Sequence, residues 1–376
     1  MTRTAKFLAD LIALPSVNPA FLPPRHPHAG EGRVAEFLAS VAAGAGLDIE
    51  FQKALAHRPN LLARLRPTEK SRRTILLAPH LDTVNVANDR QLVPTRRAGR
   101  LYGRGACDTK GSVAAMLTAL CELARSKSRP RETEIVFAGL ADEENGQAGS
   151  RALALSEFKA DLAIVGEPTR LQIVTAHKGS LFISVETRGK AAHGATPQFG
   201  RNAVHMMARV VEVLETDYAA QLRQRRHRLL GYPTVSVGTI AGGTQPNIVP
   251  DRCVIGADRR TLPGETETGV CREITTLLRA RGLDAKVSNV RLAPCLPLET
   301  AARLPLVRQF LRSAGQSRPA GVHYFCDAAV LASGGTPSVV FGPGNIAQAH
   351  TADEWISLAQ LERGKEMLLR FLKSLP

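Results

Sequence analysis

The sequence has no long apolar run and no close pair of cysteines. The longest N-terminal apolar stretch, Phe7 to Leu14, is interrupted by Asp10, and it is far shorter than the ~20 residues that a membrane-spanning helix needs. The 6 cysteines form no CxxC pair, so we expect neither a zinc finger nor a disulfide scaffold. Such spacing suits a reducing compartment. We therefore predict a soluble cytoplasmic protein without a membrane partner.

Aromatic residues are also scarce, at 5%, although 44% of the residues are hydrophobic. The core is therefore expected to be mainly aliphatic, and 376 residues are enough for two domains. We find no internal repeat and no low-complexity tract, which argues against a solenoid or a disordered chain.

Positive charge is in excess, with 49 Lys and Arg against 34 Asp and Glu and a formal net charge of +15. A basic surface can face nucleic acid, an acidic membrane or an anionic substrate. The one dense run, Arg223 to Arg228, lacks the interleaved aromatics of a nucleic-acid module. We interpret it as a solvated helix face and expect no nucleic-acid partner.

Two helical patterns, at 7–14 and 32–45, flank a loop rich in proline and glycine, and after them strands and helices alternate. The predicted strands are Thr74–Ala78, Glu134–Leu140, Leu162–Val165 and Ser338–Phe341, and the predicted helices are the amphipathic Lys110–Ser126, then 304–313 and Leu358–Leu372. This alternation predicts an α/β domain with a mostly parallel sheet and helices on both faces.

The pattern changes from Ser180 onward. Strands are predicted at Leu181–Val185, Thr234–Ile240, Cys253–Asp258 and Ala285–Val290, and helices at Asn202–Leu214 and Cys271–Ala280. The resulting β-α-β-β-α-β order is that of a ferredoxin-like arrangement. We therefore predict an inserted α+β domain at 179–290 within a catalytic domain formed by 1–178 and 291–376.

Polar residues follow the apolar strands of the α/β domain. They are His80 and Asp82, Glu143 and Glu144, Glu167, and His350 after the last strand, while a glycine-rich turn at 103–108 delivers Asp108. In open α/β sheets the carboxyl ends of the strands are where ligands bind. We therefore expect these side chains to gather at one edge of the sheet.

Two imidazoles and three carboxylates exceed what one tetrahedral catalytic zinc requires. Two metals that share a central carboxylate, Asp108, account for this set better, with a carboxylate that is not a ligand as proton shuttle. Each motif by itself is more often an ordinary turn or a charged surface. Together, after successive apolar strands, they favour a metal site, because buried charge without a partner is costly.

These segments resemble, in order and wording, the zinc amidohydrolase and exopeptidase family that includes acetylornithine deacetylase, succinyl-diaminopimelate desuccinylase, aminoacylase and glutamate carboxypeptidase. The resemblance spans nearly the whole chain. It implies two Zn²⁺ ions, which Co²⁺ or Mn²⁺ can replace. One ion would be held by His80, Asp108 and Glu167, and the other by Asp108, Glu144 and His350.

The resemblance also implies roles for the remaining residues of the site. Glu143 would act as general base and acid on a water between the metals, and Asp82 would orient the imidazole of His80. In the inserted domain, His193 would stabilise the oxyanion and would reach the active site of a partner subunit, which implies a homodimer and a closing lid. Asn247 and Arg260 would hold the substrate carboxylate.

Three positions depart from the pattern of the family. They are Pro79 before the histidine, Thr109 after the shared aspartate and Gly194 after His193. None of them removes an expected ligand. Gly194 bears on specificity more than on activity.

The amino-acid sequences of segments 177–180, 189–193 and 341–350 most resemble the acetylornithine deacetylase branch. This resemblance implies hydrolysis of N-acetylornithine or a similar N-acyl amino acid. Desuccinylase, dipeptidase and carboxypeptidase activities stay open, because the same metal chemistry serves different pockets. A non-catalytic basic binding protein is the remote alternative, and the presence of every expected ligand and of Glu143 argues against it.

Overall fold

The computed structural model of the chain describes residues 1–291 and 294–376. The chain forms two units. The first comprises Met1–Thr175, Thr300–Ala320 and Cys326–Pro376, and the second comprises Ala176–Glu299 and Gly321–Phe325. In chain order, the second unit therefore interrupts the first.

The elements follow one another along the chain as α1 (Arg3–Ile12), α2 (Gly32–Ala43), β1 (Asp48–Leu55), β2 (Arg58–Leu65), β3 (Arg73–Pro79), β4 (Thr95–Arg97), β5 (Arg100–Tyr102), α3 (Lys110–Ala124), β6 (Thr133–Gly139), α4 (Ala148–Leu155), β7 (Leu162–Gly166), β8 (Val174–His177), β9 (Gly179–Arg188), α5 (Ala203–Val213), α6 (Ala219–Arg223), β10 (Thr234–Gly242), β11 (Arg252–Thr261), α7 (Glu267–Ala280), β12 (Lys286–Asn289), β13 (Leu298–Glu299), α8 (Pro305–Ser313), β14 (Ala320–Val322), α9 (Asp327–Ser333), β15 (Ser338–Val340), β16 (Trp355–Ser357) and α10 (Leu358–Lys373). None of the helices in the described ranges combines the length and the apolar character needed to cross a bilayer.

The sheet of the first unit has the order β1-β2-β6-β3-β7-β15, followed by the start of β8. The four strands β6, β3, β7 and β15 are parallel to one another, whereas the pairs β1–β2, β2–β6 and β15–β8 are antiparallel. All of β7 is buried, as is usual for a strand that is covered on both faces. The predicted α/β fold with a mostly parallel sheet is confirmed.

The helix α3 lies at the centre of the hydrophobic core. Of its 15 residues, 13 are buried, and it packs against α1, α10 and the sheet. The prediction of an amphipathic helix was wrong here, because both sides of α3 are covered. The ring of Phe310 packs against those of Phe341 and Phe371, with centroid separations of 5.1 and 4.7 Å, respectively.

The second unit contains a sheet of order β10-β11-β9-β12 in which all neighbours are antiparallel. Side chains of β11 alternate between buried and partly exposed, because α5 and α7 contribute to the apolar cluster on one face only. The predicted ferredoxin-like α+β arrangement is confirmed. The helix α7 begins four residues before its predicted start, because the Thr266 side chain caps it by accepting from Gly269 N.

The arginine run does not form the helix face that was predicted. The helix α6 ends at Arg223, and the rest of the run follows it. The Arg225 guanidinium lies 2.8 Å from Glu265 and 3.0 Å from Glu273. Carboxylates of the same unit therefore compensate part of this charge.

Candidate metal centre

Three neighbouring parallel strands end at the same level of the sheet. In the register of the sheet, Pro79 of β3 lies opposite Gly166 of β7, and a further bridge joins His80 to Leu140, just beyond β6. The polar residues that follow these strands must therefore lie at one edge. This register brings His80, Glu144 and Glu167 to the same region of the first unit.

The shared carboxylate Asp108 comes from the turn between β5 and α3. Gly105 in this turn has a φ of +80°, and a Cβ atom there would lie 2.9 Å from the Lys110 side chain, so the turn requires glycine. After a cis Asp108–Thr109 peptide bond, the Thr109 hydroxyl donates to Gly166 O at 3.0 Å. That bond ties the end of the turn to β7.

Two groups of ligand atoms meet at Asp108. In the first group, His80 Nε2 lies 3.1 Å from Asp108 Oδ1 and 3.8 Å from Glu167 Oε1. In the second, His350 Nε2 lies 3.3 Å from Asp108 Oδ2 and 3.1 Å from Glu144 Oε2. Within each group the ligand atoms lie within 4.8 Å of one another. The two oxygens of Asp108 therefore face different imidazoles, and the structure brings all five predicted ligands together.

The positive charge near the buried carboxylates of the site is too small to balance their negative charge. Burial raises the pKa of Glu143 well above its usual range, and Glu167 nearby raises it further. Burial and the neighbouring Asp108 likewise raise the pKa of Glu167. Hydrogen bonds to Asp108 and Glu144 raise the pKa of His350 to about 10. Four acidic groups, Asp108, Glu143, Glu144 and Glu167, thus face only two imidazoles that can carry positive charge. Bound divalent cations would supply the missing positive charge.

The donor set fits a pair of metal ions. Each group offers one imidazole nitrogen and two carboxylates, which are ligands that zinc accepts, and three protein ligands leave a coordination position for water or substrate. The same oxygen and nitrogen donors also suit manganese or cobalt. A metal cofactor is therefore supported.

Asp82 organises the loop that carries Glu143 and Glu144. Its two carboxylate oxygens accept from Glu143 N at 3.0 Å and from Glu144 N at 3.1 Å. The His80 Nδ1 atom lies 3.0 Å from the main-chain oxygen of Asp82 and 3.4 Å from its Oδ1. Asp82 therefore contacts both the imidazole and the loop of the expected proton shuttle.

Sequence reasoning missed a layer of residues behind Asp82. Asn18 Nδ2 donates to Asp82 Oδ2 at 2.7 Å and to Asp142 Oδ1 at 2.9 Å. The Arg58 guanidinium donates two hydrogen bonds to the Glu31 carboxylate, at 2.7 and 2.6 Å, and one to Asp142 Oδ1 at 3.0 Å. Asp142 has a φ of +70°, which is uncommon for a residue other than glycine. These residues are distant in sequence, and the polar character of Asp142 beside Glu143 was the only local signal.

The remaining predicted residues lie in the second unit. His193 forms a bridge with Ile248, and Gly194 N donates to Asn247 O at 2.7 Å. A Cβ atom at Gly194 would lie 2.9 to 3.0 Å from the Asn247 backbone, so close packing explains why glycine stands there. Arg260 is elsewhere in this unit, where its Nε donates to Asp258 at 2.8 Å.

Known proteins resemble this chain in sequence along most of its length. The profile of peptidase family M20/M25/M40 matches residues 76–374. The chain is 33% identical to the acetylornithine deacetylase of Myxococcus xanthus over 338 residues, which cover 87% of each protein. It is 32% identical to the acetylornithine deacetylase of Yersinia pseudotuberculosis (strain IP 31758) over 378 residues, which cover 95% of this chain and 94% of the relative.

Solved structures share the fold. Aminopeptidase PepT of Bacillus cereus matches with a TM-score of 0.80 and 23% identity, over 99% of this chain and 97% of that one. The YXEP protein of Bacillus subtilis, a dinuclear metal binding peptidase of the M20 family, matches with a TM-score of 0.70 and 13% identity over the same shares. From the family profile and the curated relatives it follows that the chain belongs to peptidase family M20/M25/M40 and is a metal-dependent hydrolase of that family.

Proposed function

We propose that this enzyme hydrolyses the amide bond of an N-acyl amino acid, with N-acetylornithine as the first candidate substrate. The reaction class is supported by the two ligand groups that share Asp108. The choice of substrate is supported by the curated relatives, which are acetylornithine deacetylases with 32 to 33% identity to this chain. The cysteine spacing supports the cytoplasm as its location.

In this proposal His80, Asp108 and Glu167 hold one zinc ion, and Asp108, Glu144 and His350 hold the other. Bound zinc ions would supply Lewis acidity, which polarises the substrate carbonyl and makes water more acidic. The carboxylate and imidazole side chains would determine where the ions are held and the net charge of the site.

Glu143 moves the proton. It lies beside Glu144, and its main-chain N–H is held by Asp82 at 3.0 Å. Its carboxylate accepts a proton from the attacking water, whose oxygen adds to the amide carbon. The same proton then passes to the amine nitrogen as the C–N bond breaks. A carboxylate that belongs to neither ligand group is free to take up and return a proton in this way.

The second unit acts as lid and dimerisation domain in this proposal. His193 stabilises the developing oxyanion at the active site of the partner subunit, while Asn247 and Arg260 bind the substrate carboxylate. A guanidinium suits this task because its planar fork can bind a carboxylate through two hydrogen bonds. The edge strand β10, with its exposed residues 238–242, supports a homodimer, because an edge strand offers unpaired backbone groups to a second chain.

The test is amine release by the zinc-loaded protein from N-acetylornithine, N-acetylcitrulline, N-succinyl-diaminopimelate and simple dipeptides. A chelator-treated sample is the control, and reloading with Zn²⁺, Co²⁺ or Mn²⁺ identifies the metals that restore turnover. We expect chelator-sensitive turnover of N-acetylornithine. Turnover of dipeptides alone would replace the proposed substrate and leave the metal chemistry in place. Silence across the panel in metal-replete protein would contradict the proposal.

A further inference from the structure

A buried carboxylate outside the expected ligand set lies against the turn that carries Asp108. Glu354 is only 2% exposed. Its Oε2 atom accepts from Arg104 Nη1 at 2.7 Å and from Gly105 N at 2.9 Å. Its Oε1 atom accepts from Cys107 N at 2.8 Å and from Asp108 N at 2.9 Å. One side chain thus satisfies three backbone donors of the turn and one guanidinium.

Strand pairing brings Glu354 to this position. Trp355 of β16 lies opposite Tyr102 of β5, and Gly103 N donates to the main-chain oxygen of Glu354 at 3.0 Å. Glu354 therefore adjoins the start of the turn, although about 250 residues separate the two in sequence. Four residues before Glu354 the same segment carries His350.

The backbone donors of the turn depend on this carboxylate. A tight turn that is not helical cannot pair all its N–H groups internally, and a buried N–H group without a partner is costly. Both oxygens of Glu354 are used, each by two donors. A glutamine in its place would keep the size but would present an NH₂ group to two of the donors, because an amide has only one acceptor oxygen.

We propose that Glu354 is a positioning residue for the metal centre. By holding the backbone at Cys107 and Asp108, it sets where the two oxygens of Asp108 stand between His80 and His350. Since Asp108 belongs to both ligand groups, a shift of this turn weakens metal binding at both. The inference rests on the proposed metal centre and is independent of which substrate the enzyme uses.

The test compares Glu354→Gln with Asp353→Asn. The control makes the same chemical change one residue earlier, at an exposed side chain. Zinc affinity is measured by competition with a chromophoric chelator, and the thermal unfolding of the metal-free protein is followed in parallel. We expect Glu354→Gln to bind zinc about 10- to 100-fold more weakly, as is typical when a residue that supports a metal ligand is replaced. Asp353→Asn should bind zinc like the unmodified protein.

A second readout separates positioning from a general loss of structure. If Glu354 positions the ligands, turnover of Glu354→Gln recovers as the zinc concentration is raised, and the zinc-activation curve is displaced to higher concentration. A displaced curve supports the proposal. Equal zinc affinity in folded Glu354→Gln and in the control overturns it, as does a turnover defect that no zinc concentration relieves.

Arg104→Gln serves where Glu354→Gln does not fold. It removes the positively charged guanidinium that contacts Glu354 and leaves the carboxylate and its three backbone contacts in place. A smaller loss of zinc affinity in the same direction is expected, and an affinity equal to that of Asp353→Asn overturns the proposal. Because chelator competition needs no substrate, these results can be read even if the enzyme proves inactive towards N-acetylornithine.

Discussion

The expected functional residues of the two units are held in different ways. In the first unit, the side chains of His80, Asp108 and Glu167 are buried, and the His80 imidazole lies 3.1 Å from Asp108 and 3.8 Å from Glu167. In the second unit, His193 and Asn247 are exposed, and main-chain bonds hold their loops. Buried charges fix each other's positions, because each needs a partner of opposite charge. Exposed side chains have no such requirement. Substitutions of the buried ligand residues in the first unit should therefore affect metal binding, whereas those of His193 and Asn247 in the second should leave it intact.

The largest effect is expected for Asp108→Ala. This residue belongs to both ligand groups, so its loss should remove bound metal and reduce turnover to background. Metal content per chain by elemental analysis, together with amine release, checks this. Asp353→Ala, at an exposed site, is the control. Full retention of two metal ions by Asp108→Ala would show that it does not bridge them.

Glu143→Ala should separate metal binding from chemistry within the first unit. We expect the metal content to stay unchanged, because Glu143 belongs to neither ligand group. Turnover should fall by about 10²- to 10⁴-fold, the usual contribution of a general base. Kinetics on metal-replete protein measures this. Full activity of metal-replete Glu143→Ala would end its assignment as proton shuttle.

His193→Ala tests the second unit. Loss of an oxyanion donor should lower turnover by about 10²- to 10³-fold, with metal content unchanged. The matched control is His205→Ala, because His205 is also an exposed histidine of this unit. If His193→Ala loses metal, the contrast between the units fails. If it keeps full turnover, the oxyanion role is wrong.

The smallest effect is expected for Gly194→Ala. The added Cβ would approach the Asn247 backbone to 2.9 Å, and overpacking of this kind typically costs about 1 to 3 kcal/mol of unfolding free energy. Denaturant unfolding measures the change. Gly238→Ala is the control, because a Cβ there has no neighbour closer than 3.9 Å. Equal free energies of unfolding for the two variants would show that the loop accommodates the added Cβ atom without an energetic cost.

The four parallel strands of the α/β sheet were predictable because they are continuous apolar runs. The strand predicted at Thr74–Ala78 extends from Arg73 to Pro79 in the structure. The β1–β2 hairpin and the small sheet of β4, β5 and β16 were not predicted. The side chains of β1 and β4 are exposed or irregular in pattern, so no clear period marks these two strands.

The metal ligands could be recognised by residue type and by their place after apolar strands. The residues that support them could not. Asn18, Arg58 and Glu354 stand in unremarkable local sequence, and each gains its partners from segments far along the chain. Single-sequence patterns report local periodicity, whereas such contacts depend on how distant strands pair.

By itself the sequence determined the four parallel strands of the α/β sheet, the inserted α+β arrangement, and the set of side chains that could bind metal. These follow from local periodicity and from polar residues at strand ends. Only the tertiary structure decided that both oxygens of Asp108 face separate imidazoles, that α3 is covered on all sides, and that Glu354 holds the turn of Asp108. The physical reason is that strand register and long-range hydrogen bonds determine the positions of these groups. Neither can be read from the sequence of any short segment of the chain.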